Sequence, residues 1–276
     1  MEISYTPQSE PAYQERSYYW RTAIGLQQVD GLTPSGYLIE TANTNIAGKI
    51  SLGEADKLIA EYYEQKPAVT IDEKQQEEAD KVSLRITGLL AEKTFTLSPV
   101  ELISIHKRLF ADIYDFAGKI RDYNISKREW VLGGETVYYA GAYSIRETLD
   151  YDFAQEKAFS YAGLDNRAMV AHIAGFISDL WQIHAFGEGN TRAIAVFLIK
   201  YLRTFGYDIT NYTFEQHSKY FRDALVRANY NNVKLGIIAT RKYLDLFFGN
   251  LLFGEGNELR SRELHINNGR DEQHEN

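Results

Sequence analysis

The chain contains no cysteine. Disulfides, zinc–thiolate centres and thiol nucleophiles are therefore excluded, and both stability and chemistry rest on other groups. Positive charge is also short: 30 Lys and Arg against 38 Asp and Glu leave a formal net charge of -8, which argues against a chain built mainly to coat nucleic acid. No apolar run is clean enough for a membrane span, since the longest stretch free of Lys and Arg near the central motif still holds His172, Asp179 and Gln182. The opening Met-Glu-Ile-Ser-Tyr-Thr-Pro lacks the basic-then-apolar order of a secretory signal. A cytoplasmic protein with neither nucleic acid nor membrane as partner is the expectation. What is plentiful is core material: 44% hydrophobic residues, with 20 Tyr and 14 Phe, can fill one large domain or a core domain with a smaller appendage.

The most informative stretch is His184-Ala-Phe-Gly-Glu-Gly-Asn-Thr-Arg192. Before it, Val170, Ile173, Phe176, Ile177, Leu180 and Trp181 recur at spacings of three and four and predict a helix. After it, residues 193–202 have no Gly or Pro and predict a second helix, so the motif is the loop that joins them. Gly187 and Gly189 lack Cβ and let a ligand approach the backbone, while the second helix presents unpaired N–H groups and the positive end of its dipole. That is the make-up of an anion site. The Arg192 fork suits phosphate oxygens, Glu188 beside a phosphate suits Mg²⁺, and His184 can take a proton near neutral pH. Any one of these groups reads equally well as polar decoration of a Gly-rich connection. Four such groups within one short loop, counting the Asn190 carboxamide, point to phosphate-transfer chemistry.

His184, Phe186, Glu188, Gly189, Asn190 and Arg192 resemble the signature of the Fic (Fido) domain, His-x-Phe-x-(Asp/Glu)-Gly-Asn-(Gly/Lys)-Arg-x-x-Arg, and the segment from Leu109 to Arg121 resembles that family's early region. The resemblance implies an all-α Fic-fold helical bundle with one β-hairpin flap. It further implies a Mg²⁺-dependent protein adenylyltransferase, moving AMP from ATP to a Ser, Thr or Tyr hydroxyl of a protein target or of the chain itself. On that reading His184 is the base, Glu188 carries the metal, and Gly187, Gly189, Asn190, Thr191 and Arg192 bind the nucleotide. Two positions depart from the signature: Thr191 stands where Gly or Lys is usual, and Ala195 stands where the family has a last Arg that helps seat the γ-phosphate. Phosphotransfer or another nucleotidyl transfer on the same scaffold therefore stays open, as does a nucleotide-binding regulator without activity. Retention of both His184 and Glu188 speaks against the regulator. The sequence leaves a homo-oligomer open.

Along the chain, residues 1–17 are polar and are expected to be a loose arm. Residues 18–66 predict three short helices, the third opened by Ser51 and Glu54 as a capping box. This stretch resembles the small three-helix antitoxins that accompany some Fic proteins, in which a glutamate pairs with the second signature Arg. Asp30 stands at the matching place here, one methylene shorter and with Ala195 as its counterpart, so the expectation is an unpaired carboxylate that restrains only weakly. The module should pack on the core through Trp20, Ile24, Leu58 and Tyr62. The core spans 68–266. The charge run from Asp72 to Lys81 reads as a solvated face, and His106, on the apolar side of a helix opened by Ser98-Pro99, reads as structural. Trp130 to Tyr139, with Gly133-Gly134 at its centre, predicts a hairpin near 129–139. In the family this hairpin is the flap that docks a target backbone, so Val131, Leu132, Gly133 and Gly134 become docking candidates by β-augmentation. Asn229 and Tyr230, at the end of a helix bearing Phe214, Tyr220, Phe221, Leu225 and Val226, are nucleotide-binding candidates, although aromatic core packing is the favoured account of them. Glu255-Gly-Asn257 resembles part of an inhibitory C-terminal motif of some Fic proteins, but Leu251 stands where that motif has Ser, so it reads as chance or a helix cap, and 267–276 reads as a disordered tail.

Overall fold

The helices begin where the sequence supplies caps. Ser35, Ser51, Thr70, Ser98 and Asp165 each accept a backbone N–H two or three residues into the helix that follows. At Ser51 and Thr70 a glutamate completes the reciprocal box. Each such cap contributes roughly 1 kcal/mol. The computed structural model describes residues 11–207 and 209–267, and among these the regular elements are ten α-helices with no β-strand. They are α1 (Tyr13–Gly25), α2 (Gly36–Ile46), α3 (Leu52–Gln65), α4 (Ile71–Ala91), α5 (Pro99–Phe110), α6 (Ile145–Ala158), α7 (Asn166–Ile183), α8 (Asn190–Thr204), α9 (Thr213–Ala228) and α10 (Lys242–Phe253). The fold is all-α, as expected. Helix α1 starts earlier than the sequence suggested and takes in residues 13–17 of the expected arm. Residues 1–10 and 268–276 lie outside the described residues, and the expected loose start and tail fall largely there.

Two apolar clusters form. The larger is built around α8, whose buried stripe runs unbroken from Ala193 to Leu202, and draws on α5, α7, α9 and α10. The smaller joins Trp20, Leu38, Ala42, Ala55, Ile59, Tyr63 and Leu84. Helix α1 serves both, because Trp20 enters the small cluster while Tyr18, Tyr19, Ala23 and Leu26 enter the large one. Leu58 is not part of the packing; it stays 36% exposed and Ile59 is buried instead. Trp20 and Ile24 pack in the small cluster, which takes only Leu84 from the 68–266 span, and Tyr62 stacks on Tyr37 with ring centroids 4.3 Å apart, so the module meets the large cluster through Tyr18, Tyr19, Ala23 and Leu26 instead.

Helix α4 is the wall between the two clusters, and this corrects the solvated reading of its charge run at two positions, Asp80 and Glu78, while Asp72, Lys74, Gln75 and Gln76 are exposed as expected. Asp80 is fully buried and accepts from Ser35 N (2.8 Å), Ser35 Oγ (2.5 Å) and Tyr63 Oη (2.7 Å). Two residues before it, on the opposite side of the helix, Glu78 points into the large cluster's polar edge. A helix covered on two sides buries charged positions that composition alone assigns to water.

The expected hairpin near 129–139 is absent. Trp130–Leu132 form a 3-10 turn, and Gly133 and Gly134 follow with φ of 64° and 93°. The chain does reverse, with Glu129 N–H donating to Glu135 O (2.9 Å) and Gly134 N–H to Glu129 O (3.0 Å), but no ladder grows from that reversal. The reason lies in Val131 and Leu132, both 0% exposed. Successive strand residues face opposite sides, so only a helical turn can bury both neighbours in one core.

Candidate active site

Helix α7 ends at His184, which adopts left-handed backbone geometry (φ 49°, ψ 60°) without being glycine. Such a residue carries roughly 1–2 kcal/mol of strain and needs support from its surroundings. Arg121 supplies much of it. Its guanidinium donates to His184 O (2.7 Å), Ile183 O (3.2 Å), Tyr123 O (2.7 Å) and Ala140 O (2.5 Å), and its backbone N–H donates to Ala185 O (3.0 Å). Beneath the loop, Phe186 stacks on His106 at 3.7 Å. His106 in turn spans Glu188 O (2.9 Å) and Gly118 N (2.9 Å). Because the ring accepts from Gly118 N–H at Nδ1, Nε2 must carry the proton given to Glu188 O, which fixes one neutral tautomer. Burial pushes His106 down to about 4. The structural reading of His106 holds.

The loop closes on itself through Asn190, whose Oδ1 accepts from Phe186 N (3.0 Å) and whose Nδ2 donates to Phe186 O (2.8 Å). Gly189 caps α8 with φ 75°, and a Cβ there would stand 2.3 Å from the Phe110 ring. No side chain caps α8, so its first N–H groups face the loop as an anion site. Thr191 is buried and its hydroxyl accepts from Trp181 Nε1 (3.0 Å). Of the expected nucleotide contacts, Gly187, Gly189, Asn190, Thr191 and Arg192 share this loop and helix start, but the Asn190 and Thr191 side chains are already engaged in building it.

His184 lies 4% exposed between Tyr139 (ring centroids 4.2 Å) and Trp181 (5.3 Å), and neither ring nitrogen has a hydrogen-bond partner. Burial first, then the positive charge of Lys127, Arg121 and Arg222, holds its pKa well below the ordinary histidine value. The imidazole is therefore neutral near pH 7. Leaving a buried polar group unpartnered costs about 1–3 kcal/mol, and such groups concentrate at functional sites. Glu188, on the outer edge, has a half-exposed carboxylate 2.6 Å from Lys127 Nζ.

Arg192 is 1% exposed and bound by the chain's own residues. Nη1 donates to Gln27 Oε1 (3.0 Å) and Nη2 to Glu78 Oε1 (2.6 Å). Nε lies 2.9 Å from Asp30 Oδ2 without aiming its N–H there, which makes that pair a charge contact rather than an aligned hydrogen bond. Burial alone would favour the neutral form; Asp30 and Glu78 outweigh it and keep Arg192 charged. The expected unpaired Asp30 is thus corrected: the first signature arginine takes the place of the missing second one. Asp30 reaches it from the 3-10 turn Leu26–Asp30, which continues α1.

Other expected residues are placed elsewhere. Val131 and Leu132 are in the core, so their side chains offer nothing to a docking partner; Gly133 and Gly134 remain exposed. Asn229 is engaged with Ser178 and Leu225, and Tyr230 is 4% exposed with its hydroxyl accepting from Asn232. The geometry adds residues that the sequence reading passed over: Arg121, Lys127, Gln27, Glu78, and the chain Tyr139–Glu129–Arg222. In that chain Glu129 is 1% exposed, accepts from Arg222 Nη2 (3.0 Å), and stands 3.4 Å from the Tyr139 hydroxyl that donates to it. Arg121 closes the segment already singled out by resemblance, a signal that pointed to it without giving its role.

Glu188 can hold a divalent ion only in part. Mg²⁺ commonly takes one or two carboxylates and completes its shell with water and substrate phosphate. The outward carboxylate, already drawing an ammonium group, fits that use. Among the described residues no cluster of three or more His, Asp or Glu forms a cage.

A model of the Fic/DOC family matches residues 96–202. Over 105 residues the chain is 30% identical to a protein adenylyltransferase, VbhT, of Bartonella schoenbuchensis, covering 38% of this chain and 21% of that protein. It is 29% identical over 127 residues to the probable protein adenylyltransferase y4lH of Sinorhizobium fredii, covering 45% and 62%. It is 26% identical over 144 residues to the probable protein adenylyltransferase Fic of Escherichia coli, covering 50% and 68%. The chain thus spans about a fifth of the first of these relatives and under two thirds of the second.

Proposed function

With residues 96–202 forming a Fic/DOC domain, we propose that the chain is a Mg²⁺-dependent protein adenylyltransferase. It moves AMP from ATP to a Ser, Thr or Tyr hydroxyl of a protein, and its N-terminal module restrains it. The observation that carries this reading is His184, a neutral imidazole with two unpartnered nitrogens, buried where the N-terminus of α8 opens onto the loop. The acceptor hydroxyl gives its proton to His184 as its oxygen bonds to the α-phosphorus, the bond from that phosphorus to the bridging oxygen breaks, and pyrophosphate leaves. Proton abstraction of this kind contributes about 10²–10⁴-fold. The N–H groups at the start of α8 stabilise the charge that develops on the phosphoryl oxygens. Glu188 would hold the Mg²⁺, which when bound neutralises phosphate charge.

Arg192 takes part only once its carboxylate partners yield. Asp30 and Gln27 come from the N-terminal module and Glu78 from α4, so the resting arrangement withholds the guanidinium from the nucleotide. Phosphotransfer remains the second reading, favoured by Ala195, which offers no cation where the signature has its last arginine. ATP labelled on the α- or the γ-phosphate separates the two. Retention of the α label only, lost in His184→Ala with nucleotide affinity preserved, is the expected result. Retention of γ alone would turn the reading to phosphotransfer, and retention of neither would leave a regulator.

A further inference from the structure

Transfer to a hydroxyl requires an acceptor at the loop, and the molecule places one of its own there. A Cβ built on Gly187 would stand 2.7 Å from the Tyr123 hydroxyl oxygen and 3.3 Å from the Phe116 ring. The phenol therefore occupies space that any other residue at position 187 would fill. Its backbone is fixed relative to the catalytic base, because Arg121 binds Tyr123 O and His184 O at 2.7 Å each. On its far side, Asn124 Oδ1 accepts from Ala142 N–H (2.9 Å) and pins the segment again.

Three other hydroxyls near the loop are committed elsewhere. Tyr114 donates to Glu78 (2.7 Å), Tyr139 to Glu129 (3.4 Å), and buried Thr191 is engaged with Trp181. Tyr123 is 52% exposed. Its backbone is held while its ring has solvent on one side, so rotation about its own χ angles carries the hydroxyl over the loop without moving the chain.

Resting on the adenylyltransferase reading, we propose that Tyr123 is the acceptor for self-modification in cis, receiving AMP from ATP bound at this same loop. The Tyr123 O–H proton passes to His184, the phenolic oxygen bonds to the α-phosphorus, and the bond to the departing pyrophosphate breaks, leaving a phosphodiester of tyrosine and AMP. Tethering replaces a bimolecular encounter with an effective concentration of the order of mM. The product stays attached over Gly187, so each molecule reacts once and then blocks its own loop.

The test is the intact chain, as parent and as Asp30→Ala, incubated with ATP and Mg²⁺ and mapped by peptide mass spectrometry. Trypsin frees the Asp122–Lys127 peptide, and fragmentation separates Tyr123 from Ser126 within it. AMP on Tyr123, approaching one per chain, at a fractional rate independent of protein concentration, is the expected result. Tyr123→Phe should lose that label while binding ATP as the parent does. Should Tyr123→Phe fail to fold, the map of the parent decides. AMP on another residue overturns this proposal alone, and a fractional rate that rises with protein concentration overturns the cis route. Absence of AMP from both proteins overturns this proposal, while the adenylyltransferase reading, whose acceptor is a protein target, falls only if α-labelled ATP labels no protein of a target-containing mixture either.

Discussion

Arg192 has three partners, two of them carboxylates, and the structure assigns them unequal parts. Glu78 donates geometry as well as charge, with an aligned contact of 2.6 Å, whereas Asp30 contributes charge from a position 29% exposed. Removing Asp30 should therefore loosen Arg192 without freeing it. Asp30→Ala is expected to raise the initial rate of AMP incorporation at saturating ATP about tenfold, or ~1.4 kcal/mol; an unchanged rate would show that Asp30 restrains nothing. His106 gives a second prediction, this one in stability. Its folded pKa, about 4, lies below the ordinary unfolded value of about 6.5. Between those values the unfolded chain binds the proton and the folded chain does not, so the contribution is complete above pH 6.5 and is lost as pH falls towards 4. Parent and His106→Ala should accordingly differ most near pH 7 in urea midpoint, with up to ~3 kcal/mol of that gap closing on acidification. A gap constant with pH would show that His106 does not titrate with unfolding.

Among the elements, the close approach of α1 to α9 sets where Asp30 stands. A Cβ at Gly25 would lie 2.4 Å from Glu215 Cα, and Ser218 Oγ bonds Gly25 O at 2.6 Å. Within α9, His217 departs from helical geometry (φ -133°, ψ 24°) beside this contact. Two backbones cannot yield as a side chain would. Gly25→Ala should cost about 1–3 kcal/mol of stability, read as a lower urea midpoint, and should raise transfer, because the turn carrying Gln27 and Asp30 begins at the next residue. Parent-like stability and rate together would show that the contact is slack. The helices themselves were legible because their caps and three-to-four spacing are local signals. The turn at Trp130–Leu132 was not, since an aromatic and β-branched run around Gly-Gly suits a strand until burial demands both Val131 and Leu132 on one side. Glu78 was equally illegible, because a carboxylate in a charged run reveals its buried arginine only when a residue 114 positions away is folded against it.

Over the whole molecule, the loop from His184 to Arg192 could be read as a site from its own residues, while the groups that hold it came from every part of the chain: Gln27 and Asp30, Glu78, Arg121, Lys127, Glu129 and Arg222. Of the cations that hold the loop, Lys127 is matched by Glu188, Arg222 by Glu129, and Arg192 by Asp30 with Glu78, while Arg121 is buried and gives its donors to backbone carbonyls. That matching bears on kinetics of arrival. Anion sites with free positive charge draw in their ligands at up to about 10⁸–10⁹ M⁻¹s⁻¹, and salt slows them. Here a polyphosphate approaches a chain of net charge -8 whose cations are already screened at contact distance. The association rate for ATP, measured by stopped flow, should fall well short of that range and should rise with ionic strength as the long-range repulsion is damped. A rate that falls with salt would mean that one of the three cations is open to the nucleotide. With the cations matched, encounter is slow and indifferent to the identity of the anion, and selection for a nucleotide comes after it, when a bound phosphate has displaced a carboxylate of the chain.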